Sequence, residues 1–229
     1  MSLLMEAKNV QKNYDLGSSK VHALIDMSLQ IFEGDFLALA GSSGSGKTTL
    51  LNLLGGLDIP NGGSIQFKGK DISHYTSDQL AHFRATEVGF VFQTFNLLPV
   101  LTALENVEYP LLKTKLSRQE IQRRATEALA QVGLEKFLEH TPRQMSGGQR
   151  QRVAIARAIV HQPKIIFADE PTANLNKTYA NEILDFLQLI NQKNKVTIVF
   201  STHDPMVLSR AKRIIHISDG KFVQEERQS

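Results

Sequence analysis

Two patterns of apolar spacing alternate along the chain. Short aliphatic runs that end in Gly, Ser or acidic turns are separated by longer stretches with the period of an amphipathic helix. That alternation predicts layered α/β architecture. Phe36–Ala40 is a buried strand running into a Gly/Ser turn, and residues 48–54 form the helix after it. Gly62 and Gly63 open an alternating segment, residues 64–68, which suits a half-buried antiparallel strand. A short helix is expected over residues 77–84 with Ser77 as its N-cap, then a buried strand over residues 88–92.

From about residue 102 to 160 the strand signal disappears. Ser117 with Glu120 three residues on predicts a capping box, and the helix it starts should end near Gly133. Ser146 opens a second helix that runs to about Val160. Strands resume at residues 164–168 and 196–201, with a helix over 174–191 between them. Residues 214–217 and 221–223 read as a hairpin about Asp219 and Gly220, and residues 224–229 as a mobile polar tail. The whole, residues 1–229, is expected to be one domain with a helical subdomain inserted at about 102–160.

Composition narrows the class only a little. The chain has 229 residues, 41% apolar and 21% charged, which is ordinary for a globular protein with a sizeable core. A net charge of +3, spread without blocks, selects no polyanionic partner. The absence of cysteine excludes disulfides and thiolate zinc sites. Glu6 and Lys8 interrupt the N-terminal residues, which therefore lack the apolar core of a secretory signal. No segment reaches the roughly 18 apolar residues of a membrane span.

Chemistry enters at the turn after residue 40. Gly41, Ser42, Ser43, Gly44, Ser45, Gly46, Lys47 and Thr48 match the phosphate-loop pattern of Gly, four residues, Gly, Lys and Ser/Thr. Glycines let backbone N–H groups point inward as an anion cradle, and the following helix aims its positive end at the same phosphates. Lys47 would reach the β- and γ-phosphates and the Thr48 hydroxyl would ligate Mg²⁺. A second element supports this one. The apolar run 165–168 ends in Asp169 and Glu170, and carboxylates at the carboxyl end of a central strand lie beside such a crevice. Asp169 can hold the metal, and Glu170 can orient and polarise an attacking water.

The stretch beginning Met145, Ser146, Gly147, Gly148, Gln149 and continuing to Ala158, placed just before the acidic strand, resembles the signature of ABC ATPases. The resemblance covers nearly the whole chain, from Met5 to Val223. It implies a P-loop NTPase (RecA-like) α/β core, an N-terminal antiparallel β-subdomain and an inserted α-helical subdomain. Ser146 with Gly147 and Gly148 supplies a second helix N-terminus for anions. One chain cannot fold both anion sites onto one triphosphate, whereas a head-to-tail homodimer can. By the same resemblance Thr49 and Gln149 join the ATP-binding set, Gln93 touches Mg²⁺ and senses a membrane partner, His203 contacts the γ-phosphate, and Tyr14 stacks on adenine. Lys47, Glu170 and His203 are then the catalytic residues, and Thr48, Gln93 and Asp169 the metal set.

Residues 21–24, 53–58 and 96–107 are similar to the lipoprotein-releasing and macrolide-exporting ATPases, with the cell-division ABC ATPase a near relative. That implies a permease docking near residues 93–101, no nucleic-acid partner, and a place at the cytoplasmic face of the inner membrane. A soluble ABC ATPase outside transport is the alternative, and a non-hydrolysing module a third. Two positions depart from the family pattern. Met145 stands for Leu, a swap that keeps volume. Asn176 stands for an Asp that couples the two ATP sites, so altered coupling is expected.

Overall fold

The computed structural model describes residues 2–17 and 19–228. Two antiparallel strands, β1 (Leu3–Leu16) and β2 (Ser19–Phe32), lead to β3 (Phe36–Ala40), helix α1 (Lys47–Leu54), the strands β4 (Gly62–Phe67) and β5 (Lys70–Asp71), helix α2 (Ser77–Glu87) and β6 (Val88–Val91). Helices α3 (Ala103–Glu108), α4 (Arg118–Gln131) and α5 (Gly147–Ile159) follow. The chain then returns through β7 (Ile165–Asp169), α6 (Lys177–Asn194), β8 (Thr197–Thr202), α7 (Pro205–Leu208), β9 (Arg213–Ser218) and β10 (Lys221–Arg227). The central sheet runs β10-β9-β3-β8-β7-β6, parallel except for β10, and the second sheet is β2-β1-β4-β5.

Every residue of β3 is buried because the central sheet is covered on both faces. Phe36, Ala38 and Ala40 point into one core, with α3 to α6, while Leu37 and Leu39 point into the other, with α1 and the antiparallel sheet. β7 divides the same way, Ile166 and Ala168 against Ile165 and Phe167. This is the period of two that makes one strand serve two layers. The crevice at the carboxyl ends of β3 and β7 is where the phosphate loop and the acidic pair emerge.

Several local expectations need correction. Thr76, not Ser77, caps α2, because only Thr76 has a Gln three residues on: Gln79 N–H donates to its hydroxyl and the Gln79 side chain accepts from Thr76 N–H. The box at Ser117 is half made. Its hydroxyl accepts from Glu120 N–H, but the Glu120 carboxylate is held by Arg123 and Arg124. Helix α6 spans Lys177–Asn194 rather than 174–191, with Asn176 at its cap, its side chain accepting from Tyr179 N–H at 3.0 Å. Residues 224–227 are not a free tail: Gln224 to Arg227 pair with His216 to Arg213 as the end of β10, while Ser229 lies outside the described residues. Arg213, nearly fully buried, fixes this edge through an ion pair to Glu225 at 3.0 Å and another to the buried Asp35.

Candidate functional site

The turn after β3 needs glycine at two places for different reasons. A Cβ on Gly41 would lie 2.3 Å from the Ile217 carbonyl oxygen, and one on Gly46 would lie 2.6 Å from that of Ala23. Gly46 also has φ of +104°, a region closed to most side chains. Gly46 is the N-cap of α1 and offers no side chain to the helix, so the first N–H groups stay available to a ligand. The β9–β10 turn braces the loop from behind: Gly220 N–H donates to the Ser45 carbonyl at 3.0 Å, and Ile25 N–H donates to Gly220 at 2.8 Å. Ser42, Ser43 and Gly44 remain exposed at its mouth.

The Lys47 ammonium is buried and folds back to donate to the carbonyls of Gly41 and Ser42, both at 2.8 Å. Burial pushes its pKa below the usual lysine range, with Glu170 and Asp169 opposing that shift. The Thr48 hydroxyl lies 3.1 and 3.0 Å from the two Asp169 oxygens, so a hydroxyl and a carboxylate meet at the helix start.

The acidic pair is held by a residue the sequence did not advertise. Ser201, fully buried on β8 directly opposite Asp169, donates to the Asp169 carboxylate and accepts from Glu170 N–H at 3.0 Å. Glu170 sits at φ +43°, unusual for a residue with a side chain, as befits a group aimed by its surroundings. His203 Nδ1 lies 3.1 Å from Glu170 Oε1, and both line a cleft of about 440 Å³ with Thr172, Lys177 and Asp204. A larger cleft, about 990 Å³, opens beside Gly34, Lys164 and Thr197 at the opposite ends of the strands and touches none of these residues.

Ser146 caps α5 through a reciprocal box, accepting from Gln149 N–H at 3.3 Å while the Gln149 side chain accepts from Ser146 N–H at 2.8 Å. Gly148 is buried beneath the Tyr179 ring, where a Cβ would lie 3.2 Å from the ring carbon. Ser146 itself is exposed, and among the described residues no hydrogen bond or ion pair joins residues 146–149 to the phosphate loop. Gln93 is exposed as well. Its carbonyl accepts from Asn174 at 2.9 Å, and among the described residues its side-chain amide bonds to neither Thr48 nor Asp169. The segment after it is pinned from α5. Arg157 donates to the carbonyls of Phe95 (2.8 Å) and Asn96, two consecutive residues with positive φ, and the Arg150 guanidinium lies 5.1 Å from the Phe95 ring. Tyr14 stands at the far end of β1. Its hydroxyl donates to Asp58 at 2.8 Å and also bonds Thr49, which brings the ring beside the start of α1.

A protein-family model described as ABC transporter matches residues 24–173, which span the phosphate loop, the Ser146 helix and the acidic strand. The chain belongs to the ABC transporter family. This ABC cassette is an ATP-hydrolysing subunit, with the α/β nucleotide-binding fold of that family. A macrolide export ATP-binding/permease protein of Syntrophobacter fumaroxidans is 48% identical over 224 residues, and the chain spans 31% of that protein's length. An uncharacterised ABC transporter ATP-binding protein of Thermotoga maritima is 45% identical, with 99% of this chain and 97% of that one covered. A solved ATP-binding cassette from Methanocaldococcus jannaschii, captured as a dimer in a post-hydrolysis state with ADP and Pi, superposes with a TM-score of 0.91 at 42% identity over 98% of both chains. No helix among the described residues of the ABC cassette is long and apolar enough to cross a membrane.

Proposed function

We propose that this cassette powers a membrane permease of the lipoprotein-releasing or macrolide-exporting kind by closing as a homodimer around two ATP molecules and hydrolysing them. The observation that supports it most directly is the meeting of the Thr48 hydroxyl and the Asp169 carboxylate at the mouth of a glycine turn, with Glu170 and His203 alongside. Hydroxyl and carboxylate oxygens are the donors a hard divalent cation takes, so this pair, with Gln93 swinging in, fits Mg²⁺. When bound, that ion neutralises charge on the β- and γ-phosphates.

Each ATP lies between one chain's residues 41–49 and Ser146, Gly147, Gly148 and Gln149 of a second copy. The backbone N–H groups left open at the start of α1, and the Lys47 ammonium once it leaves the Gly41 and Ser42 carbonyls, take the phosphates and stabilise charge developing on the γ-phosphoryl group. Glu170, aimed by Ser201 and His203, orients the attacking water, and His203 holds the γ-phosphate. Tyr14 receives the adenine. ADP bridges the two copies poorly, so hydrolysis opens the dimer, and the movement reaches the permease at residues 93–101, where Val100 is 82% exposed and Leu98 38%. The cassette thus works at the cytoplasmic face of the inner membrane, with no nucleic acid involved.

Glu170→Gln tests the reading. It should bind Mg-ATP, lose nearly all phosphate release and accumulate as a nucleotide-trapped dimer in size-exclusion chromatography. An active variant that stays monomeric with ATP would refute the assignment.

A further inference from the structure

The Tyr14 ring, though exposed, is held at its hydroxyl and from one face. Its hydroxyl donates to Asp58 Oδ2 at 2.8 Å and bonds Thr49 on α1. Asp58 is fixed in turn. Its other oxygen accepts from the Lys12 ammonium at 2.6 Å and from Ile59 N–H at 2.7 Å. Lys12 completes the knot by donating to the Ile59 carbonyl at 2.8 Å, and its ammonium stands 5.1 Å from the Tyr14 centroid. Lys12 is 9% exposed and Tyr14 36%. The cation therefore backs the ring, and part of the ring faces solvent.

We infer that Lys12 and Asp58 are positioning residues for the base of the bound nucleotide, acting through Tyr14. The inference rests on the adenine-stacking role proposed for that ring. A tyrosine free to rotate would lose entropy each time a base stacked on it. Here two hydrogen bonds at the hydroxyl fix the ring's position, and the Lys12 ammonium over its face restrains its plane, before the ligand arrives, the kind of preorganisation that raises affinity without adding a contact. The ammonium on the covered face draws on the ring's π electrons, which favours an electron-rich purine on the other. Because Thr49 follows the two residues that serve the phosphates and the metal, the same hydroxyl also sets the distance between base and triphosphate. Nothing in the triad reaches Glu170, Asp169 or His203, so its influence should appear in binding and spare turnover.

The test compares two probes, Mg-ATP and Mg-tripolyphosphate, which lacks a base, by calorimetric titration of the whole chain. Tyr14→Phe keeps the ring and removes only the anchor. It should weaken ATP by up to about tenfold, the cost of immobilising one side chain on binding, and leave tripolyphosphate unchanged. Asp58→Ala and Lys12→Met should do the same, and Tyr14→Phe combined with Asp58→Ala should be no worse than either alone. In ATPase assays the loss should fall on KM with kcat within about twofold. Wild-type ATP affinity in both Tyr14→Phe and Asp58→Ala, alongside a clear loss in Tyr14→Ala, would overturn the inference and keep the stacking ring. Wild-type affinity in Tyr14→Ala would remove the ring's role and the inference with it. Parallel loss of tripolyphosphate would assign the triad to the phosphate turn and overturn the inference too.

Discussion

Ser201→Ala offers a sharp perturbation because the change is small in volume and large in bonding. The hydroxyl is fully buried and serves two groups at once, the Asp169 carboxylate as acceptor and the Glu170 N–H as donor. A hydrogen bond to a charged acceptor is worth about 1.5–3 kcal/mol, and an orphaned N–H costs about 1–3 kcal/mol. Glu170 is only half-buried, so water can partly replace the second bond and its cost should sit at the low end. The sum is about 2–4 kcal/mol. For a domain of this length each kcal/mol lowers Tm by about 2–4 °C, so a fall of about 5–15 °C is expected in a thermal melt. The chemistry should move as well. Asp169, no longer held from β8, should require more Mg²⁺ for half-maximal ATPase, while ATP binding measured in a chelator stays close to wild type. Unfolding within about 0.5 kcal/mol of the parent, the range of inert surface changes, together with an unchanged Mg²⁺ requirement, would refute the claim that Ser201 organises the pair.

Other consequences can be checked as directly. Gly44→Ala meets nothing within 4 Å and should lose only about 1–2 kcal/mol for its positive φ, whereas Gly46→Ala also drives a methyl to 2.6 Å from the Ala23 carbonyl oxygen and should lose about 1–3 kcal/mol more in urea unfolding; equal losses would refute the close approach of β2 to Gly46. Burial lowers the Lys47 pKa in the free protein, and a bound triphosphate would raise it again. Below the free-state pKa the ammonium is charged in both states and affinity is flat. Above it, binding must take up a proton, so ATP affinity should fall as pH rises, starting below the ordinary lysine range, and proton uptake should appear in calorimetry across buffers. Asn176→Asp keeps the α6 cap and places a charge at a helix N-terminus, a gain of about 0.3–1 kcal/mol at most; ATPase cooperativity should change, and identical Hill coefficients and rates would remove a coupling role for this position.

The central layer was readable because β3, β7 and β8 are short, aliphatic and bounded by turns, and because the phosphate turn, the acidic pair and the Ser146 helix each carry their reason in contiguous residues. β1 and β2 were not readable from periodicity. Register shifts along the pair, with positive φ at Asn9 and Asp26, move apolar positions off a strict alternation. The supporting residues were hidden for a different reason. Ser201 matters only because the topology sets it opposite Asp169, and Asp58 only because the turn after α1 brings it to Tyr14, 44 positions earlier on β1. Arg157 shares α5 with Arg150 and Arg152, and nothing in the sequence marks it as the one whose guanidinium closes on the carbonyls of Phe95 and Asn96.

The brace formed by Gly220 behind Ser45 bears on biosynthesis. The phosphate turn precedes α1 in the chain, yet one of its supports comes from the β9–β10 hairpin, far downstream. A nascent chain still short of that hairpin has the glycines, the lysine and the first helix but lacks the strap that holds them in shape. The turn therefore gains this support only after residue 220 has been made, and its final shape is set later than its own residues and those of α1.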